Sequence, residues 1–367
     1  MSGDPVKNIL SFLLLLFAGC SAALACDVPV YRYALERWPS ATYEVVAFYR
    51  GALTIEQSRV VELLGRPEDG GPHANCTVRP VELGSLPDGP LRALRESLDN
   101  PSPPLLALLS PHGAGQQEII WSGSLTAGSA EKITGSRARR EIARRILSGE
   151  AAVWVLLESG DREKDEAAAA LLEGRLELLE RSLRLPEAVD RASRSGAPEL
   201  RVDFSMLRLS RSDPEEEVLV RLLMHTEQDL GLYASVPMAF PVYGRGRVLY
   251  ALVGEGISQE NIDEACAFLV GPCACEIKAL NPGLDLLMRV DWDAGLAGSW
   301  VNEVGLPPLA GLSALSVAEV REEAAAAAGK TNSRRISRNI LLVLGLIVLA
   351  VALLSVMVVK SGSGDKR

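Results

Sequence analysis

The feature that most constrains this chain of 367 residues is a run of twenty uncharged residues near its end, Ile340 to Val359. A helix rises ~1.5 Å per residue, so a run of this length spans the ~30 Å hydrocarbon core of a bilayer. Basic side chains flank it, with Arg338 before and Lys360 after, where they can reach the headgroups. A buried core helix is the alternative, but such helices rarely lack a polar face over this length. We therefore expect a transmembrane helix over residues 339–360.

A second apolar run, Ile9 to Ala25, opens the chain. It follows a lysine and ends in Ala23-Leu24-Ala25, the small-x-small pattern of a signal-peptidase site. Residues 1–25 are therefore predicted to be a signal peptide, and cleavage would leave Cys26 as the first residue. The stretch Phe17 to Cys20 loosely resembles a bacterial lipobox, so lipidation is an alternative, as is an uncleaved anchor. Each of these routes exports the region between the two apolar runs.

The charges beside the predicted span favour the opposite orientation. Residues 330–338 are at least as basic as the tail that follows the span, and charge bias alone would place the large domain in the cytoplasm. Long domains translocate largely regardless of charge, so the signal peptide carries more weight. We expect a single-pass membrane protein with a periplasmic or extracellular bulk domain and a short cytoplasmic tail, residues 361–367.

The composition excludes some classes of function. A net charge of −9 provides no basic surface for nucleic acid. The three histidines lie far apart and show no metal-ligand spacing, and no cofactor is expected. Five of the six cysteines remain after signal cleavage, and an odd number cannot all pair within one chain. Asn75-Cys76-Thr77 is formally a glycosylation sequon, which matters only in a eukaryotic source.

The region between the apolar runs repeats one order of predicted strands and helices. The elements of the first copy are Tyr43–Tyr49 (strand), Leu53–Leu64 (helix), Thr77–Leu83, Leu105–Leu109 and Glu118–Trp121 (strands) and Ser136–Leu147 (helix). Those of the second copy are Ala151–Leu157 (strand), Asp161–Leu183 (helix), Leu200–Leu209 (strand), Asp213–Leu222 (helix), Val236–Val242 and Arg247–Val253 (strands joined by a Gly-Arg-Gly turn) and Ser258–Leu269 (helix). Alternating strands and helices predict an α/β fold with a mixed sheet in each copy.

The second copy resembles the thioredoxin-like fold. A Val-Pro pair opens a strand, a glycine-rich hairpin follows, and the next strand ends at Gly254 before a capped helix. The resemblance implies two tandem thioredoxin-like domains, residues 26–149 and 150–294, each with a central mixed sheet flanked by helices. It places Pro237 at the family's cis-proline position. In the first copy, Pro103 or Pro104 is the nearest equivalent.

Both copies depart from the family at the position that carries its chemistry. Thioredoxins have Cys-x-x-Cys between the first strand and first helix, where the helix N-terminus lowers the thiol pKa. The first copy has Arg50 to Thr54 at that place and the second has Glu158 to Arg162, and neither stretch contains a sulfur. The resemblance therefore implies the scaffold without the oxidoreductase. Such copies in the family commonly serve as binding or docking modules.

Three cysteines, Cys266, Cys273 and Cys275, stand close together in the second copy. A disulfide from Cys266 to one of the other two would fasten the chain after its last helix, because Gly271-Pro272 turns it sharply. Alternatively, Cys266 is a buried core residue, or three thiolates bind a soft metal such as Cu(I) or zinc. Redox exchange at Cys273 and Cys275 is the sharpest enzymatic hypothesis, and it requires an exposed thiol of low pKa.

The segments outside the two copies carry weaker signals. Tyr31, Tyr33 and Trp38 could form a binding patch, but we expect them to anchor their segment to the core of the first domain. Residues 295–338 loosen in composition and are predicted to form a stalk between the domains and the membrane.

These patterns together favour a binding or scaffolding protein. We expect an exported, membrane-anchored, non-catalytic tandem of thioredoxin-like domains whose partners are the membrane and other envelope proteins. The alternative is a membrane-tethered thiol oxidoreductase or metal chaperone that uses Cys266, Cys273 and Cys275.

Overall fold

The computed structural model describes residues 26–65, 71–98, 102–111, 117–186, 200–273, 278, 281 and 283–296. The predicted signal peptide, transmembrane helix and tail lie outside the described residues, as does the predicted stalk after residue 296. Within the described part, no helix combines the length and the apolar character needed to cross a bilayer. The described residues belong to one compact unit.

The chain is an α/β protein, as the sequence predicts. The strands are β1 Cys26–Pro29, β2 Tyr43–Tyr49, β3 Cys76–Glu82, β4 Leu105–Leu109, β5 Ile119–Ser124, β6 Ala152–Glu158, β7 Phe204–Ser210, β8 Met238–Tyr243, β9 Arg247–Val248, β10 Leu252–Val253, β11 Pro272–Cys273 and β12 Leu284–Asp285. The helices are α1 Val30–Arg37, α2 Ile55–Gly65, α3 Pro90–Ser97, α4 Ala127–Thr134, α5 Arg137–Leu147, α6 Arg162–Ser182, α7 Glu217–Met224, α8 Gln259–Val270 and α9 Trp292–Gly295, with 3₁₀ turns at Leu230–Tyr233 and Gly254–Gly256.

The two larger sheets share one arrangement. The first has the order β3-β2-β4-β5 and the second has the order β12-β9-β8-β6-β7, with β10 also paired to β8. In each, the first strand of the copy lies between a parallel partner (β3 or β7) and an antiparallel partner (β4 or β8). Strands β2, β4 and β6 show no alternation of buried and exposed residues, because both of their faces are buried; Glu44 in β2 is the buried charged exception.

The predicted strand Arg247–Val253 is divided into β9 and β10. The pairs Val242↔Val248 and Ala239↔Leu252 leave one extra residue on this side of the ladder, which is a β-bulge. Pro241 lies in β8 at this point and has no N–H to donate, although its carbonyl accepts from the Leu249 N–H at 3.0 Å. The proline explains why regular pairing is interrupted here.

Apolar side chains from both sheets form one continuous core. Val45 and Leu108 of the first sheet belong to the same buried cluster as Val155 and Phe240 of the second, together with Ile142 of α5. A second cluster covers the other face of the second sheet, and a third joins the outer face of the first sheet to α3. The two sheets are therefore held together by burial of apolar surface as well as by chain connectivity.

The N-terminal segment packs against the second sheet rather than the first. Tyr31, Tyr33 and Trp38 lie in the cluster that contains Trp154 of β6. The expectation that they anchor the segment to the first domain's core was wrong. The reason is long-range: β1 pairs with β11, which follows α8, and this pairing places α1 against the second copy.

A buried carboxylate fixes the chain after α1. Asp285 is 3% exposed and accepts from Arg247 at 2.9 Å, from the backbone N–H of Ala41 at 2.6 Å and from Lys278. The Arg247 guanidinium also lies 5.9 Å from the ring centre of Trp38. The Asp285 carboxylate thus binds two cations and a backbone donor. These contacts hold the N-terminal segment against the second sheet.

Candidate functional site

An apolar groove of about 400 Å³ lies beside the N-terminal half of α6. Its lining residues come from α6, from the entry to β8 and from the turn after β10: Lys164, Ala167, Ala168, Leu171, Val236, Pro237, Gly254, Glu255 and Ile257. Ligand sites in proteins are commonly concave, mostly apolar and ~300–1,000 Å³ in volume. The groove is therefore the candidate functional site of the described part of the chain.

The α6 wall is fixed by two carboxylates, that of Asp161 at the N-cap of the helix and that of Asp165 in its first turn. Asp161 caps α6, accepting from the N–H groups of Glu163 at 3.2 Å and Lys164 at 3.4 Å. Asp165 is 4% exposed and accepts from Ser159 N–H and hydroxyl, both at 2.8 Å, and from Gly160 N–H at 2.9 Å. Donors that could stabilise an incoming anion at this turn are thus bound to the chain's own carboxylates.

The opposite wall is the short stretch Val236-Pro237 that leads into β8. The bond between these residues is trans, and the cis bond of the described chain joins Pro103 and Pro104 directly before β4. The cis prediction for Pro237 was therefore wrong. The chain enters β8 from a 3₁₀ turn, in which the Val236 N–H donates to Tyr233 O at 3.2 Å. With the chain in this direction, the Val236–Pro237 bond is trans.

Gly254 closes the end of the groove and cannot be replaced freely. Its φ of +53° lies in the left-handed region, and a Cβ at this position would come within 3.3 Å of Val236 Cγ2. Its N–H donates to Pro237 O at 2.9 Å, so the backbone of one wall is hydrogen-bonded to the end of the groove. The opening is held by backbone contacts rather than by flexible side chains.

Two charged residues lie at the edge of the groove, and two exposed apolar residues lie in the 3₁₀ turn whose Tyr233 carbonyl bonds the Val236 N–H. Lys164 and Glu255 supply one charge of each sign at its edge, and both are exposed. Leu232 and Tyr233, in the 3₁₀ turn before Val236, are 82% and 46% exposed. Exposed large apolar residues next to an apolar depression are typical of an interaction surface.

The Arg211 side chain links two of the segments around the groove. Its Nε lies 3.4 Å from Glu158 O at the end of β6, and its Nη2 lies 3.4 Å from Val236 O. Burial lowers the pKa of this guanidinium, while the Asp165 carboxylate acts in the opposite direction. One side chain therefore connects the strand end below α6 with the wall that carries Pro237.

The first copy closes its corresponding turn in a similar way. Glu82, at the end of β3, accepts from the N–H groups of Gly51 at 3.2 Å and Ser85 at 2.7 Å. Backbone hydrogen bonds, that from Gly84 first, lower the pKa of Glu82 to about 2. Thr54 and Gln57 form a reciprocal capping box at the start of α2. In both copies a carboxylate accepts from a backbone N–H in the turn between the first strand and the first helix.

Of the three clustered cysteines, Cys266 is the one whose side chain the structure describes. Cys266 carries a free, fully buried thiol on α8, in the cluster that contains Trp154. Burial raises its pKa. The predicted disulfide from Cys266 was wrong because α8 turns this thiol into the core, while the chain after Gly271 leaves to pair with β1. Cys275 lies outside the described residues.

Other sequence candidates have structural roles. The Gly244–Gly246 turn is a hairpin, and Arg245 within it donates to Leu35 O at 2.8 Å and pairs with Asp293 at 2.5 Å. The Asn75 side chain donates to Ala41 O and accepts from Met288 N–H at 2.6 Å, so its amide is used within the fold rather than offered to a glycan. No group of three or more potential metal ligands occurs among the described residues.

The chain matches no protein-family model, and no curated protein sequence matches it.

Proposed function

We propose that this chain is a non-catalytic binding protein of the cell envelope, and that the groove beside α6 receives an extended, apolar segment of another polypeptide. The observation that carries the proposal is the pairing of an open apolar groove with an adjacent turn whose donors are already bound by Asp161 and Asp165. The groove offers apolar contact area, and the N–H groups of Ser159, Gly160, Glu163 and Lys164 beside it are already bound within the chain.

The repeated strand order supports a tandem of thioredoxin-like domains. In both sheets the first strand of the copy lies between one parallel and one antiparallel neighbour, and a fourth strand follows the antiparallel one. The absence of Cys-x-x-Cys from both turns supports a scaffold that binds without redox chemistry. The predicted signal peptide and transmembrane helix, with residues 295–338 as a stalk, supply the location: an exported domain tethered to the membrane.

The edge of the groove indicates the chemistry of the occupant. Ala167, Leu171 and Val236 present apolar surface, and Tyr233 beside them is an exposed aromatic of the kind that anchors interfaces. At the edge of the groove, Glu255 is an exposed carboxylate, and Lys164 is an exposed cation that pairs with Asp161 at 3.0 Å and could exchange this surface partner for a charge on the bound segment. We therefore infer a peptide with a short apolar centre and charged flanks of both signs.

Burial disfavours the part of the alternative function that uses the Cys266 thiol; Cys275 lies outside the described residues, and Cys273 is described by its backbone alone. A redox or metal-binding cysteine needs an accessible thiolate, and the Cys266 thiol is fully buried with a raised pKa. Cys76 is the other described free thiol, and burial raises its pKa to about 11 even though Arg139 acts to lower it.

A peptide-binding experiment tests the proposal. The full chain, held in lipid nanodiscs, is applied to an array of short peptides of systematically varied apolar content and flanking charge. Peptides with an apolar centre should bind, and Ala167→Glu should weaken their affinity at least about tenfold because it places an unpaired charge in the contact. Ala170→Glu is the matched control, since Ala170 is exposed on the same helix and does not line the groove. Equal affinity for both variants would contradict the proposal.

A further inference from the structure

Two cysteines stand opposite each other in the short sheet that holds the N-terminal segment. Strand β1 pairs antiparallel with β11, and the register places Cys26 directly across from Cys273. We propose that these two residues form a disulfide in the exported protein, which joins the first residue of the processed chain to the segment that follows α8.

The register makes Cys26 and Cys273 direct Cα partners, although the pairing is irregular between Cys26 and Pro29. Residues directly opposite in an antiparallel pair have Cα atoms about 4.5 to 5.5 Å apart. Disulfides join Cα atoms about 4.4 to 6.8 Å apart. Next to this pair, the Val30 N–H donates to Gly271 O at 3.0 Å, so a second backbone contact holds the two segments side by side.

The other described cysteines are not available as partners. Cys266 lies in the core on α8, with a free thiol that is fully buried. Cys76 is also a free thiol, at the start of β3 in the first sheet, where Tyr43 is its register partner. The register pair Cys26 and Cys273 is therefore the one that the described backbone aligns.

The bond has a structural purpose in this fold. The β1–β11 sheet has only two strands, and an isolated two-stranded pairing is marginally stable in water. Yet α1, which follows β1 directly, supplies Tyr31 and Tyr33 to the core of the second sheet. A covalent link at Cys26 would keep this segment in place against fraying from a chain end that cleavage after Ala25 creates.

Formation of the disulfide requires an electron acceptor, which an exported protein meets outside the cytoplasm. Two thiols lose two protons and two electrons as the sulfur–sulfur bond forms. The acceptor is the disulfide of an exported thiol–disulfide oxidase, which is reduced to its dithiol by exchange through a mixed disulfide. The proposal therefore requires an oxidising compartment.

Peptide mapping of the full chain tests this link. Membranes are quenched with acid and alkylated under denaturing, non-reducing conditions, and the purified chain is digested with chymotrypsin, because cleavage after Phe268 or Leu269 separates Cys266 from Cys273. A cross-linked pair containing Cys26 and Cys273 is expected, with a mass two hydrogens below the sum of its reduced peptides. Fragmentation should locate the bond at Cys273, and Cys266 should be recovered alkylated.

Single variants provide the controls. Cys273→Ser should abolish the linked pair and leave Cys26 alkylated, whereas Cys275→Ser should leave the pair intact. Alkylated Cys26 and Cys273 in the wild-type chain, or a bond from Cys26 to Cys275 or from Cys273 to Cys275, would overturn the proposal. The wild-type map decides the matter even if a variant fails to accumulate.

Discussion

Asp165 accepts two hydrogen bonds from Ser159, one from its backbone N–H and one from its hydroxyl, both at 2.8 Å. The acceptor lies in the first turn of α6 and the donors lie in the turn that the helix grows from. In an enzyme, a helix N-terminus could stabilise a reactive anion. Here the donors of the turn before α6 are bound to Asp165, and the contact has a structural role. The apolar groove beside this turn is accessible to a ligand.

The Asp165 contacts predict a local stability effect. Asp165→Ala removes the acceptor for three donors and should lower the free energy of unfolding by about 1–3 kcal/mol. Glu163→Ala is the matched control, since Glu163 is an exposed acid in the same helical turn, and its loss should cost less than about 1 kcal/mol. Urea denaturation followed by circular dichroism measures the free energy of unfolding of both variants. Equal effects would show that Asp165 does not hold the turn before α6.

Glu82 predicts a pH dependence in the first copy. Hydrogen bonds from the backbone, that of Gly84 first, lower its pKa in the fold to about 2 from the usual 4.5. The stabilisation of the Gly51 turn is therefore fully present above the unfolded pKa and is lost as pH falls through the folded one. Titration of the Glu82 side-chain carbon by NMR, assigned with Glu82→Gln, should give a midpoint near 2. A midpoint in the ordinary range would mean that the turn is not held by this carboxylate.

The buried thiol of Cys266 and the half-buried thiol of Cys76 predict low chemical reactivity. Burial raises the pKa of Cys76 to about 11, so only about 0.1% of it is thiolate at pH 8, and burial raises the pKa of Cys266 as well. Neither should react with an aromatic disulfide reagent until the chain is unfolded, whereupon both should react. The measurement is a time course of modification at each cysteine by mass spectrometry. Rapid labelling of native Cys266 would restore the thiol-enzyme hypothesis.

Arg139 predicts a large loss of stability. Its guanidinium is buried and donates to four backbone carbonyls, those of Lys132, Ile133, Gly135 and Leu287, and burial lowers its pKa to about 10. Arg139→Met should cost about 3 kcal/mol or more, because it leaves these carbonyls without their donor.

The neighbouring residue on α5 provides the control for Arg139. Arg140 is exposed, with its guanidinium 4.0 Å from Glu131, so Arg140→Met should change stability by less than about 1 kcal/mol. Chemical denaturation of the two variants measures the difference. Similar values for both would mean that the buried donors of Arg139 are not required.

The sequence predicts the local elements well because their signals are local. Continuous apolar runs mark β2 and β6 as strands buried on both faces, and Ser258 caps α8 as its spacing indicates. Contacts between distant residues were not predictable in this way. The pairing of β1 with β11 and the resulting position of Trp38 depend on segments more than 200 residues apart.

The candidate site was predicted only in part. Pro237 was singled out, and it does line the groove, but for a cis bond that the structure does not have. Asp165 was missed because an acid in a first helical turn is usually exposed, and only the folded turn shows it to be buried. Ala167 could not be identified from the sequence, because its role depends on the groove that it lines and not on the chemistry of its methyl group.

Site-specific photocrosslinking in membranes of the source organism tests the central claim most directly. A photoreactive phenylalanine derivative at Tyr233, beside the groove, is compared with one at Leu178, which is 49% exposed on α6 and does not line it. We predict a discrete adduct with one polypeptide from position 233 alone, lost on Ala167→Glu and kept on Ala170→Glu. The same adducts from both positions, no adduct from position 233, or an adduct unaffected by Ala167→Glu would contradict a binding function for this groove.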